Sequence, residues 1–321
     1  MKTKYFILAS LALVALGVVA ADKLFTLPLA KLTIRVVDEQ HIPIQGARVN
    51  LTFMDPVTRK GVPISGLTDA SGHFTGEGGS DSNLGGTVQK NGYYSGGFPF
   101  EPFRDAKEGR WQPWNPTYVS VLRKIEKPVP LYGKAALTEI PKTNNPCGYD
   151  LEAGDWVAPY GKGKTSDFIM TLKREYENRD KFNVSVVINF SNPLDGIQEI
   201  KLPEEWRCCE FKWPHLAPDT GYQTSLTTRL GSVPGKGFND TASEDQTYFF
   251  RVRTVEKDGK IVSALYGKIS EGIRLDPMNS KTCLVKLVYY LNPTPLDRNM
   301  EFDLKHNLLT NIGQFEGLRE P

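Results

Sequence analysis

Residues 182–190 have the sequence FNVSVVINF, in which every second residue from Phe182 to Phe190 is apolar. Side chains of a β-strand point alternately to its two faces, so this period of two predicts a strand with one buried and one solvent-facing side. Such strands are typical of antiparallel sheets that cover a core with one face.

The same alternation recurs along the chain, whereas helix signals are weak. It is present at 32–36 and 47–53, and β-branched and aromatic runs occupy 247–255 and 284–291. Turn-forming proline and glycine residues separate these runs. Many short strands with this punctuation predict an all-β chain of β-sandwich architecture. One short helix is expected, around residues 303–312.

The first 21 residues have the form of a secretory signal peptide. Lys2 and Lys4 precede an apolar run from Phe6 to Val19, and small residues at 20–21 offer a cleavage site. The run is shorter than the roughly 20 residues that a spanning helix needs, which favours a cleaved signal over an anchor. We therefore expect an exported protein, periplasmic or extracellular, with no membrane span after signal cleavage.

Composition limits the possible partners. The chain has 321 residues, 40% of them hydrophobic and 24% charged, which is sufficient for a packed core. Removal of the signal takes away two lysines and leaves 37 basic against 37 acidic residues. This balance gives no electrostatic reason to expect nucleic acid as a partner.

The mature chain contains four cysteines, which are Cys147, Cys208, Cys209 and Cys283. In an oxidising compartment they permit two disulfides with three possible connectivities. Adjacent cysteines do not readily bridge each other, so we expect Cys208 and Cys209 to pair separately with Cys147 and Cys283. Buried free thiols are the alternative. Because cysteines and histidines lack the spacing of a metal site, no metal or cofactor is expected.

Four motifs lie between residues 32 and 94: VVD at 36–38, PIQGARV at 43–49, TDASGHF at 68–74 and KNGYY at 90–94. Together they resemble the carboxypeptidase regulatory-like domain. The resemblance implies a prealbumin-like (transthyretin-like) β-sandwich at about residues 30–126, an accessory module without catalytic residues. A segment rich in proline and aromatic residues, 98–116, departs from the family's pattern.

The remainder, residues 127–321, is predicted to be a larger β-rich, sandwich-like domain of unknown function. Segments 148–151, 155–157 and 290–295 are similar to uncharacterised secreted bacterial proteins, which implies no activity. The expected organisation is therefore a signal peptide at 1–21, the regulatory-like sandwich at 30–126 and the β-rich domain at 127–321.

Motifs that could carry catalysis are incomplete. Residues 158–165, APYGKGKT, nearly match a phosphate-binding P-loop, but the residues that follow are strand-like, which favours a surface turn. His215 has no Gly-x-Ser-x-Gly nucleophile motif to accompany it. Carboxylate pairs that a glycosidase could use are Glu204 with Glu205, Asp150 with Asp155, and Asp297 with Glu301. We assign no catalytic residue.

Aromatic residues are the best indication of binding. Tyr93, Tyr94, Trp111 and Trp114 lie in a stretch punctuated by prolines, and exposed aromatic rings on rigid loops bind sugars or proteins. These four are our candidate ligand-binding residues. The alternative is that the aromatic side chains fill the seam between the two β domains.

The sequence thus predicts an exported, non-catalytic β protein that binds a glycan or a protein surface component. One alternative is an extracellular glycan hydrolase that uses paired carboxylates of the second domain. The other is a purely structural envelope protein.

Overall fold

The computed structural model describes residues 27–99, 102–243 and 245–321, so the expected signal peptide at 1–21 lies outside the described residues. The secondary structure of the described residues is β-strand, apart from a 3-10 helix at Glu204–Trp206. None of these residues belongs to a helix long and apolar enough to cross a membrane. The chain folds as two compact units: unit 1 runs to Ile125 and includes Glu204–Lys212, and unit 2 comprises Glu126–Pro203 and Trp213–Pro321.

Unit 1 consists of two sheets that enclose one core. Its strands are β1 (Leu29–Val37), β2 (Arg48–Met54), β3 (Gly61–Leu67), β4 (His73–Gly79), β5 (Gly85–Gln89), β6 (Asp105–Lys107), β7 (Arg110–Gln112) and β8 (Thr117–Val121). One sheet has the order β4-β1-β7-β6, with β8 parallel to β1, and the other has the order β3-β2-β5.

The alternation in β1 and β2 builds this core. Leu32, Ile34 and Val36 of β1 share a cluster with alternate residues of β2, such as Val49 and Leu51, all of them fully buried. The two strands belong to different sheets, so their apolar faces meet and the sheets form a sandwich.

Unit 2 is a larger two-sheet structure. Its strands are β9 (Tyr132–Glu139), β10 (Pro146–Asp150), β11 (Asp155–Trp156), β12 (Phe168–Asn178), β13 (Lys181–Asn189), β14 (Gly196–Ile200), β15 (Ser225–Val233), β16 (Gly237–Asp240), β17 (Thr247–Lys257), β18 (Lys260–Asp276) and β19 (Leu284–Leu291). One sheet has the order β11-β10-β12-β13-β15-β16, and the other has the order β14-β17-β18-β19-β9.

A shared core joins these two sheets. Phe168 on β12 and Phe250 on β17 meet edge to face with 5.1 Å between ring centroids. Val184, Val186 and Ile188, the inward residues of the alternating stretch, are fully buried in the same cluster. The all-β prediction and the strands expected in both halves are therefore confirmed.

The segment Glu204–Lys212 belongs to unit 1 although it follows β14 of unit 2. The guanidinium of the buried Arg123 lies 3.8 Å from the ring centroid of Trp206 and 4.7 Å from that of Phe211. Phe211 also packs on Tyr94, with 5.1 Å between ring centroids. These cation–π and aromatic contacts hold the segment on unit 1, a feature that the sequence did not predict.

The short helix expected over residues 303–312 is wrong, because this segment forms turns and irregular backbone. Asn307 is hydrogen-bonded to β9 instead: its side chain accepts from the N–H of Gly133 at 3.1 Å and donates to the carbonyl of Gly133 at 2.8 Å. The N–H of Leu308 donates to Leu131 at 3.0 Å. These tertiary hydrogen bonds override the local helix preference.

All four cysteines are free thiols, in place of the two disulfides expected from the sequence. Cys147 and Cys283 are buried in the core of unit 2, whereas Cys208 and Cys209 lie on the segment held to unit 1. Each expected bridge would therefore join one unit to the other. Burial raises the pKa of Cys283 to about 12, which keeps this thiol protonated and unreactive.

Thiol labelling tests this arrangement. Cys208 is exposed while the other three are buried, so we expect one thiol to react with a disulfide reagent in the native protein and four after unfolding without reductant. Cys208→Ser should remove the native reaction. Detection of fewer than four thiols in the unfolded, unreduced chain would show that disulfides form after all.

Candidate functional site

A polar groove lies on the outer face of the β3-β2-β5 sheet of unit 1. Arg48 at the start of β2 is paired in register with Leu67 of β3 and with Gln89 of β5. Directly paired residues project from the same face of a sheet. The neighbouring Ala47 and Val49 are fully buried, so the row formed by Leu67, Arg48 and Gln89 faces solvent.

A tight turn after β5 forms the adjacent wall. The N–H of Tyr93 donates to the carbonyl of Lys90 at 3.0 Å, and Gly92 has a φ of 82°. Glycine adopts this positive φ without the strain that a Cβ atom would cause, and it suits the third position of a type II turn. The turn places Asn91 and Tyr93 beside the row on the sheet.

Lys90 closes the groove near Gly46. Its ammonium donates to the carbonyl oxygens of Gln45 at 2.8 Å and Gly46 at 3.4 Å. A Cβ atom on Gly46 would lie 3.3 Å from the Lys90 nitrogen, and Gly46 has a φ of 69°. A glycine at this position therefore lets the lysine lie against the backbone.

We call this site the β2 groove. It has a volume of about 450 Å³, within the range of about 300–1,000 Å³ that is usual for ligand sites. The residues that line it are Gly46, Arg48, Leu67, Gln89, Lys90, Asn91, Tyr93 and Ser95. Most of them offer hydrogen-bonding groups, so the groove suits a polar ligand better than an apolar one.

Two of the four predicted ligand-binding residues adjoin this groove in sequence, and one of them lines it. Tyr93 is half-buried, lines the groove and also packs against the core of unit 1. Tyr94 is buried against Phe211 and is therefore part of the core. The sequence did not single out Arg48, Gln89 or Asn91. A detectable signal was the exposed position of Arg48 between two core residues, next to the turn motif at 90–94.

Trp111 and Trp114 lie near the opposite end of β1. Arg110, next to Trp111, pairs with Leu29, whereas Tyr94 is hydrogen-bonded to Arg123, just beyond the Val37 end. A nine-residue strand is about 27 Å long. The four predicted residues therefore do not form one site.

Each of the two tryptophans already has contacts. The indole N–H of Trp111 donates to the carbonyl of Ser80 at 2.7 Å, and its ring stacks on Phe103, with 6.1 Å between centroids. The ring of Trp114 lies 4.9 Å from the guanidinium of Arg110. Phe103 belongs to the core of unit 1, and Trp111 packs against the same core.

The P-loop-like segment 158–165 does not form a phosphate site. Asp150 accepts the backbone N–H groups of Lys164 at 2.8 Å and Thr165 at 3.0 Å, and Asp155 accepts that of Lys162 at 2.9 Å. A phosphate-binding loop needs such N–H groups for its ligand. The segment leads into β12 rather than a helix, as the turn interpretation predicted.

Arg253 joins the buried carboxylates of this region. β17 has a bulge between Val252 and Val255, where Arg253 has a φ of 55°. Its guanidinium donates two hydrogen bonds to Asp167, at 2.8 and 2.9 Å, and forms ion pairs with Glu152 at 2.8 Å and Asp150 at 3.4 Å. The bulge redirects the side chain of Arg253 toward these carboxylates.

Burial and hydrogen bonding shift the pKa values of Asp167 and Asp150 in opposite directions. Burial raises the pKa of Asp167 above its usual value, although Arg253 opposes the shift. Burial also acts to raise the pKa of Asp150, but backbone N–H groups and Arg253 outweigh it and lower the pKa. Arg253 therefore balances the negative charge of Asp150 and Asp167, and Asp150 holds the segment 158–165 in place.

The other carboxylate pairs singled out from the sequence also have structural partners. Glu204 forms an ion pair with Arg207 at 2.8 Å. Asp297 accepts the N–H of Asn299 at 3.0 Å. The buried Glu301 accepts the N–H groups of residues 126 and 127 at 2.9 and 2.6 Å.

His215 lies 3.6 Å from a carboxylate oxygen of Glu301. Within the described part of the chain, no group of three or more histidine, cysteine, aspartate or glutamate side chains is placed to hold a metal ion.

Comparisons with known proteins give distant structural likenesses only. No protein-family profile and no curated protein sequence matches the chain. A 3-chlorocatechol 1,2-dioxygenase from Rhodococcus opacus 1CP is 12% identical with a TM-score of 0.24; the likeness covers 30% of this chain and spans 60% of the dioxygenase.

Two other solved structures are similar over more of the chain. A DUF3823 family protein from Parabacteroides merdae is 10% identical over 86% of this chain and 100% of its own, with a TM-score of 0.19. A candidate carbohydrate-binding protein from Bacteroides uniformis is 10% identical over 81% and 97%, with a TM-score of 0.18. These likenesses identify no family, and the class of the protein, all-β with two units, is given by the described residues themselves.

Removal of Arg253 tests its structural role. Arg253→Ala leaves buried carboxylates without their cation, so we expect the free energy of unfolding to fall by about 3 kcal/mol, measured by urea denaturation. The loss should shrink as the pH falls, because a protonated Asp167 does not require the cation.

The matched control for this prediction is Lys286→Ala, which breaks the exposed ion pair with Glu271 at 3.0 Å. Its effect should stay below about 1 kcal/mol. Equal effects of the two substitutions would show that the carboxylates around Arg253 do not depend on it.

Proposed function

We propose that this chain is an exported, non-catalytic β protein that binds a glycan through the β2 groove. The observation that supports this best is the lining of the groove: Arg48, Gln89 and Asn91 offer planar hydrogen-bonding groups beside the ring of Tyr93. Sugars present hydroxyl groups to such side chains and apolar C–H faces to aromatic rings.

The groove supports a glycan better than a protein partner. The centre of a protein interface is depleted of charged residues and enriched in large apolar anchors. Here the exposed Arg48 occupies the middle of the sheet row with the exposed Gln89 beside it, and Leu67 is the one aliphatic residue of the lining. A polar ligand replaces the water on these groups with hydrogen bonds of similar strength.

A hydrolase is less well supported. A glycosidase needs two carboxyl groups on opposite sides of the scissile bond, about 5–9.5 Å apart. The residues that line the β2 groove include neither aspartate nor glutamate. The carboxylates of unit 2 that the sequence offered for this role accept backbone N–H groups, as described above for Asp150, Asp155, Asp297 and Glu301.

Binding to a polysaccharide panel tests the proposal, with affinity electrophoresis of the full chain as the measurement. We expect at least one polysaccharide to retard the protein. The double substitution Gln89→Ala with Asn91→Ala should weaken this binding about thirtyfold, since two hydrogen bonds of about 1 kcal/mol each are lost. Both residues are exposed, so the fold should be unaffected.

Trp114→Ala is the control, because Trp114 is a predicted sugar-binding residue that lies away from the groove. It should leave the retardation unchanged. If Trp114→Ala abolishes binding and the double substitution does not, the glycan site is at the tryptophan end. If no polysaccharide is retained, the glycan function is wrong and a protein or structural role replaces it.

A further inference from the structure

We infer that the ligand of the β2 groove is an anionic saccharide, whose carboxylate or sulfate group binds between Arg48 and Lys90. This inference rests on the proposed glycan function and narrows it to a chemical class. Two positively charged side chains line the groove, and neither is paired with a carboxylate of the described residues.

Arg48 carries a charge that the fold does not neutralise. Among the residues that the structure describes, no carboxylate lies within 4.0 Å of its guanidinium nitrogens, and its side chain is exposed. Arg48 lies in β2 between the fully buried Ala47 and Val49, so its side chain projects from the outer face of the sheet. A guanidinium presents five N–H donors in a fork that matches the two oxygens of a carboxylate.

Lys90 is held but not neutralised. Both acceptors of its ammonium, the carbonyls of Gln45 and Gly46, are uncharged, so the positive charge remains at the edge of the groove. An ammonium has three N–H donors, and these contacts use two of them. The side chain is therefore positioned before a ligand arrives, which reduces the entropy lost on binding.

A carboxylate is hydrogen-bonded to the backbone of one lining residue. Glu210 of the segment 204–212 accepts the N–H of Ser95, which lines the groove, at 3.2 Å. The two cations of the lining thus outnumber this acid, and the groove favours an anion. Two cations are too few for a nucleic acid, whose binding commonly involves about 6–10 phosphate contacts.

The test compares matched charged and neutral ligands. Oligogalacturonate and its methyl ester differ only in the charge of the sugar acid, and a sulfated galactan offers the other common oxyanion. Binding to the full chain is measured by titration calorimetry at low and high salt. We expect oligogalacturonate to bind at least tenfold more tightly than its ester, with an affinity that falls as salt rises.

Substitutions show which residue causes the preference for the charged saccharide. Arg48→Gln keeps amide hydrogen bonding but removes the charge, so it should abolish the preference for the acid by weakening oligogalacturonate at least tenfold more than it weakens the ester. Arg48→Lys should retain part of the preference, because the charge remains and the fork is lost. Arg110→Gln, the same change at the exposed arginine beside Trp114, should have no effect.

Each outcome has one meaning. If the sulfated galactan also binds and depends on Arg48, the anionic inference is supported with sulfate as a second source of the charge. If the ester binds as tightly as the acid, the anionic inference is wrong and the glycan function stands. If Arg110→Gln removes the preference and Arg48→Gln does not, the anion lies elsewhere. If no saccharide binds, both proposals fail.

Discussion

The hydrogen-bond register of β2 with β3 and β5 is the constraint on which the candidate site depends. It pairs Arg48 with Leu67 on one side and Gln89 on the other, and it turns Val49 into the core. A shift of one residue would reverse every side chain of β2, burying the arginine and exposing the valine. The buried alternation therefore fixes the polar row as firmly as it fixes the core.

Unit 2 uses its charged groups in a different way. Asp150 and Asp167 are almost completely buried, and they organise the P-loop-like segment 158–165 and the bulged strand β17 through backbone N–H groups and Arg253. Removal of one partner from a buried ion pair of this kind is strongly destabilising, because the other charge is then buried without compensation. Buried carboxylates of unit 2 thus stabilise its loops, whereas Arg48 and Lys90 of the β2 groove form no ion pair with a carboxylate among the described residues.

Strands were predictable where the pattern was local. Residues 284–291 were expected as a strand and β19 has these bounds, because its apolar, β-branched and aromatic residues predict a strand from the local sequence alone. The helix at 303–312 failed since Asn307 is bonded to a strand far away in sequence. The site was only partly predictable. Tyr93 was identified because it is aromatic. Arg48 becomes a candidate binding residue only once the strand pairing places it beside Leu67 and Gln89, and the sequence does not show that pairing. The regulatory-like resemblance of the first domain and the export signal stay predictions.

The most direct measurement is an NMR titration of the labelled protein with oligogalacturonate, followed through the backbone amides and the indole N–H signals. We predict that the backbone amide signals of Arg48, Gln89 and Asn91 shift with ligand while the indole signals of Trp111 and Trp114 stay in place. Shifts confined to the two indoles and their neighbours would contradict it, since the ligand would then lie at the other end of β1.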